Sequence, residues 1–116
     1  MMEIQIFGTK KNPATRKAQR FFAERRLRVH FVDLAQRAAS PGELRRFVQK
    51  VGTDALIDRD SKRFAELGLM HASYGADRWL EILAEEPLLL RQPLVRNGPQ
   101  LTVGEATSTW REWAGR

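Results

Sequence analysis

The chain has 116 residues, 42% of them hydrophobic, which is enough for one core and too short for two independent domains of ordinary size. It contains no cysteine, which excludes disulfides, thiolate metal sites and every cysteine-based mechanism. Lys and Arg number 20 against 14 Asp and Glu, and the longest apolar run, Pro87 to Leu90, falls far below the roughly 20 residues of a membrane span. An acidic, strand-like start shows no signal peptide, so the expectation is a soluble cytoplasmic protein without a membrane segment. Much of the positive excess lies between Lys10 and Arg28, where Lys10, Lys11, Arg16, Lys17, Arg20, Arg25, Arg26 and Arg28 face the single Glu24. Such a cluster is either the solvated face of an amphipathic helix or an attractor for an acidic protein, a small anion or nucleic acid.

Glu3 to Phe7 alternates, with Met2, Ile4 and Ile6 on one side, and predicts a strand. Asn12-Pro13 is a helix start: the Asn side chain accepts from a free backbone N–H, and proline there loses only an N–H that had no partner. The helix runs to about Arg26 with Ala14, Ala18, Phe21 and Phe22 inside, and Val29 to Leu34 is a second strand, making a βαβ unit with parallel pairing. Ser40-Pro41-Gly42-Glu43 is a capping box, followed by Leu44, Phe47, Val48 and Val51 at helical spacing and a stop at Gly52. Asp54 to Ile57 reads as a turn, Ser61 to Leu67 as a short helix ending at Gly68, and Ala76 to Glu86 as another, closed by Pro87. Leu94 to Arg96 and Gln100 to Val103 are strands around an Asn97-Gly98 hairpin, and Glu105 to Trp113 is a final helix. There are no repeats and no linker long enough to divide the chain, so one domain is expected over 1–116.

Four stretches in this order resemble the ArsC/Spx family of arsenate reductase-like proteins and related transcriptional regulators. They are "IQIFGTKKNPATRKAQRFF", "SPGELRRFVQKVG", "LIDRDSKRFAELGL" and "EEPLLLRQPLVRNGPQLTVG", and together they span nearly the whole chain. The resemblance implies an α/β, thioredoxin-like fold: a four-stranded mixed sheet in the order 2-1-3-4, with a helical insertion between the βαβ and ββα halves. It also implies a cis peptide at Gln92-Pro93. The expected core is Ile4, Ile6, Ala18, Phe21, Phe22, Val29, Phe31, Leu44, Phe47, Leu67, Leu83, Val95 and Val103.

By the same resemblance, Asn12 occupies the place of the reductases' cysteine nucleophile, and Thr15 the second position of that motif. A carboxamide cannot attack arsenate, and a threonine hydroxyl needs an adjacent base that neither His30 nor His71 supplies by sequence. The reductases' oxyanion-binding arginines also look displaced: Asp60 stands where one would align, with Arg59 beside it, and Gln92 stands before Pro93, with Arg91 one residue earlier. In an extended segment a one-residue shift turns a side chain to the other face.

Asn12, Thr15, Asp60 and Gln92 are therefore expected to be degenerate active-site positions. Lys10, Lys11, Thr15, Arg16, Arg59 and Arg91 remain candidates for weak oxyanion binding, with the backbone N–H groups of Ala14, Thr15 and Arg16 open toward the loop. No metal and no cofactor are expected; two histidines without cysteine make a poor metal site. Trp79, Trp110 and Trp113 read as packing residues, and Glu85 and Glu86 as solvent-facing. The expected function is a noncatalytic family member that binds an acidic protein surface, RNA polymerase among the candidates by resemblance to Spx. The alternative is an arsenate reductase-related oxidoreductase with an altered site. A nucleic-acid binder ranks third, because no exposed aromatic is interleaved with the basic residues.

Overall fold

In a computed structural model describing residues 3–115, the chain forms two compact units, a sheet unit of residues 1–37 and 92–116 and a helical unit of residues 38–91. Met2, read as part of the first strand's apolar face, lies outside the described residues.

The sheet unit holds β1 (Glu3–Gly8), α1 (Pro13–Glu24), β2 (Arg28–Asp33), β3 (Leu94–Asn97), β4 (Gln100–Val103) and α5 (Thr107–Trp113). The strand order is β2-β1-β3-β4, as the resemblance implied, with β1 parallel to β2 and antiparallel to β3. The register sets Ile6 beside Phe31 and Val95 on one face, and Phe7 beside Val32 and Leu94 on the other. On the first face Ile4, Ile6, Ala18, Phe21, Phe22, Val95, Trp110 and Trp113 form one core. The Trp110 ring lies 5.8–5.9 Å from both phenylalanines, and its indole N–H donates to Thr102 Oγ1 at 2.9 Å.

Helix α1 ends in a Schellman arrangement, Leu27 N–H to Phe22 O and Arg26 N–H to Ala23 O. Arg26 takes the left-handed position at φ 58°, where glycine is usual. The hairpin turns one residue later than expected: Asn97 pairs with Gln100, leaving Gly98-Pro99 at the tip, where Gly98 supplies a φ of 59° and proline its fixed negative φ.

The helical unit holds α2 (Pro41–Val51), α3 (Lys62–Glu66) and α4 (Ala76–Glu85), with 3-10 turns at Asp54–Leu56, Leu69–His71 and Pro87–Leu89. The capping box at α2 is complete: Glu43 N–H donates to Ser40 Oγ, and Ser40 N–H to Glu43 Oε1. Two apolar runs without helical period meet as a short antiparallel bridge. Ile57 pairs with Leu90, Asp58 N–H donates to Leu89 O, and Arg91 N–H donates to Leu56 O, each at 2.8 Å. Leu56, Ile57, Leu89 and Leu90 are all fully buried there.

Several expected positions are corrected. Val29, Phe31 and Val103 are only half-buried, because β2 and β4 are the sheet's edges and cover their side chains from fewer sides. Leu67 is 37% exposed, since the five-residue α3 turns only Phe64 inward before the chain reverses at Gly68. Thr15, not Ala14, takes the fully buried place on the first turn of α1. Glu86 is half-buried instead of free, with its carboxylate accepting from Arg63 Nε at 2.8 Å.

That hydrogen bond holds Glu86 below the usual carboxylate range, and Lys17, 2.7 Å away, does the same for Glu105. A depressed carboxylate stabilises the fold above its unfolded pKa and loses that contribution as pH falls through its folded value. Unfolding by urea is therefore expected at lower denaturant as pH drops below about 4.3. In Glu86→Gln that acid-side decline should be shallower, with little change in slope near neutrality. An unchanged acid profile in the variant would remove Glu86 from the account.

Candidate functional site

The loop between β1 and α1 is tied down by two side-chain amides. Asn12 caps α1 in an extended conformation, and its Oδ1 accepts the Thr15 N–H at 2.8 Å and faces the Thr15 hydroxyl at 3.1 Å. Gln92 reaches the loop from the segment just before β3, the strand paired with β1. Its Oε1 accepts the Thr9 N–H at 2.7 Å and lies 3.1 Å from the Thr9 hydroxyl and 3.3 Å from that of Thr15. Because a backbone N–H can only donate, these bonds fix which end of each amide is the oxygen. The Gln92-Pro93 peptide is cis, as expected. The Thr15 side chain also lies flat on Gly8, where an added Cβ would come within 2.6 Å of Thr15 Cγ2.

Every group in this network is a neutral amide, a hydroxyl or a backbone N–H. The Thr15 hydroxyl is fully buried between two amide oxygens, neither of which is a base able to take its proton. The arrangement thus holds no activated nucleophile. Two of the three N–H groups expected to open toward the loop are spent: Thr15 on Asn12 Oδ1 and Arg16 on Asn12 O, the latter closing the first helical turn at 3.0 Å. The asparagine cap consumes two of the donors that an anion would need.

The other candidates are placed as follows. Lys10, Lys11 and Arg16 are exposed. In the helical unit, Arg59 pairs with Asp54 at 2.6 Å, and exposed Asp60 donates its N–H to Asp58 Oδ1. The Arg91 guanidinium donates to Ala55 O and Ile57 O at 3.2 and 3.4 Å. His30 lines an open polar recess of about 430 Å³ with Lys10, Asp33, Gln36 and Arg37. His71 lies on a separate 3-10 turn. Among the described residues no three His, Asp or Glu side chains gather as a metal site, and no helix is long and apolar enough to cross a membrane. Sequence reasoning did not single out Gly8 or Thr9; the small residue next to Thr9 was the one available sign of a close approach there.

The chain and its fold have clear relatives. The chain is 27% identical to the uncharacterized protein YusI of Bacillus subtilis, covering 97% of this chain and all of that protein. It is 26% identical to the global transcriptional regulator Spx 2 of Oceanobacillus iheyensis, covering 99% and 86%. Among solved structures it superposes on the YFFB (PA3664) protein with TM-score 0.86 at 19% identity, covering 94% and 96%. An arsenate reductase from Vibrio cholerae superposes with TM-score 0.82 at 21% identity, covering 96% and 97%. The sheet order and the helical insertion are thus the thioredoxin-like arrangement of these neighbours, carried here without cysteine. With the ArsC family profile matching residues 7–113, from β1 to the last turn of α5, the chain belongs to the ArsC family.

Proposed function

We propose that the protein is a noncatalytic ArsC-family member that works in the cytoplasm by binding an acidic protein surface. The observation carrying this reading is the loop itself, where Asn12, Gln92, Thr9 and Thr15 are linked by hydrogen bonds with no thiol and no base among them. Asn12, Thr15, Asp60 and Gln92 are on this view the degenerate counterparts of catalytic positions. Charge supports binding through the sheet unit. That unit carries twelve Lys and Arg against five Asp and Glu, while the helical unit carries eight against nine. On α1, Arg16 and Arg20 are exposed one turn apart, a like-charge spacing that disfavours the isolated helix. An acidic partner relieves that repulsion and is steered by it.

RNA polymerase is the partner class proposed, on the likeness to a global transcriptional regulator. Oxyanion binding by Lys10, Lys11 and Arg16 belongs to the proposal only as a weak side-chain interaction, because the Thr15 and Arg16 N–H groups are committed. Arg59 and Arg91 are bonded within the helical unit.

Two measurements test this. Purified RNA polymerase should retain the protein, and Arg16→Glu/Arg20→Glu should weaken retention at least about tenfold, about 1.4 kcal/mol, with folding intact. Arsenate turnover with thioredoxin or with glutathione and glutaredoxin should equal a no-protein control, and Asn12→Cys alone should restore little. Turnover by the unaltered chain, in a preparation free of host reductase, would favour the alternative reading of an altered reductase. Retention indifferent to the charge reversal would end the α1 assignment.

A further inference from the structure

All five large hydrophobic side chains that are exposed among the described residues, Val51, Leu67, Met70, Tyr74 and Leu88, belong to the helical unit. One of them, Met70, lines an open groove of about 480 Å³. Its apolar lining comes from Phe64, Ala65, Leu69 and Met70, and its two ionisable residues are Arg59 and His71, with no carboxylate among them. Met70 is 77% exposed, far beyond what a packing methionine would be. Gly68 stands in the left-handed conformation with nothing within 4 Å of where a Cβ would be, so the groove is open there. The Arg59 guanidinium lies over the faces of Phe64 and Trp79, at 5.7 and 5.8 Å from the ring centres, and Tyr74 meets Trp79 edge-on at 5.3 Å.

We infer that this groove docks an amphipathic segment of a partner protein whose apolar side chains cover Met70 and Phe64 while a carboxylate reaches Arg59. Apolar wall, aromatic support and one arginine make the composition of an interaction hot spot. Released from its exposed ion pair with Asp54, Arg59 selects an acidic occupant over a basic one.

Asp54 now occupies Arg59 at 2.6 Å, but that pair is open to water, with Asp54 85% exposed. Exposed pairs of this kind contribute little, so an incoming carboxylate can take Asp54's place. This site lies wholly in the helical unit and stands whether or not α1 binds an acidic surface.

The test uses the full chain and a fluorescein-labelled helical peptide with leucine and phenylalanine at i, i+3 and i+4 spacing and glutamates between. Its counterpart has every glutamate replaced by lysine. Anisotropy should show saturable binding of the glutamate peptide below about a millimolar, and at least about tenfold weaker binding of the lysine peptide. Met70→Ser, at an exposed position, should weaken binding about tenfold, and Asp54→Asn should tighten it several-fold by freeing Arg59. Arg59→Glu should reverse the preference between the two peptides. Arg16→Glu/Arg20→Glu should leave all of this unchanged, which separates the groove from the α1 reading. Equal binding of both peptides, no saturation with the chain folded, or self-association abolished by Met70→Ser would each overturn the inference.

Discussion

Gln92→Arg is expected to lose about 2 kcal/mol of folding stability, a fall in Tm of roughly 5–10 °C for a chain of this size. Arginine is the residue that the family resemblance puts before this proline, so the variant looks like a reversion, yet here it removes the acceptor on which the loop is hung. Gln92 Oε1 takes the Thr9 N–H at 2.7 Å and stands within reach of the Thr9 and Thr15 hydroxyls. A guanidinium has only donors, so it leaves that N–H facing other N–H groups. Gln92→Met should cost about as much without adding charge, because the acceptor is equally lost. Gln92→Glu keeps an acceptor and should cost clearly less. Thermal unfolding of the three variants checks the order, and equal stability of Gln92→Arg with the unaltered chain would show that the network does not hold the loop.

Gly8→Ala is expected to cost about 3 kcal/mol, at the upper end for overpacking. The new methyl group would meet the Cγ2 and Cβ of Thr15 at 2.6 and 3.0 Å. Thr15 has no room to yield, being fully buried, branched at Cβ and bonded through its hydroxyl to Asn12. Truncating Thr15 opposite the added methyl gives the discriminating result. Gly8→Ala/Thr15→Ala should be more stable than the sum of the two single losses by at least about 1 kcal/mol. Urea unfolding of the four proteins measures this, and simple additivity would mean that the strand and helix do not press on each other there.

What could be read from the chain was what is decided locally. The Asn12 cap and the Ser40–Glu43 box rest on side chains and N–H groups three residues apart, and both are present. The order of elements followed from period and punctuation, and the resemblance then supplied the sheet order. The polar lock was illegible because Thr9 and Gln92 are 83 positions apart. The sequence showed Gln92 as a lost guanidinium, but not as an acceptor with a new task. Likewise "LI" and "LLL" carry no period from which to infer that Ile57 pairs with Leu90. Val29 and Phe31 have the right chemistry for a core, and the strand order supplied by the resemblance already put them on an edge, where that chemistry is covered from fewer sides.

The central strand has a further consequence, for biosynthesis. β1 pairs on one side with β2, which follows it closely, and on the other with β3, which begins only at Leu94. At roughly 5–20 residues per second, the ribosome takes about 3–12 s to pass from the end of β2 to β3. Through that interval the edge of β1 that will receive β3 has no strand, and Ile6 lacks Val95 beside it. The nascent chain therefore presents an unfinished apolar strand edge for seconds, the kind of surface on which chaperones and aggregation compete. The intervening helical unit, with its own capping box and buried bridge, is complete in sequence before β3 is made.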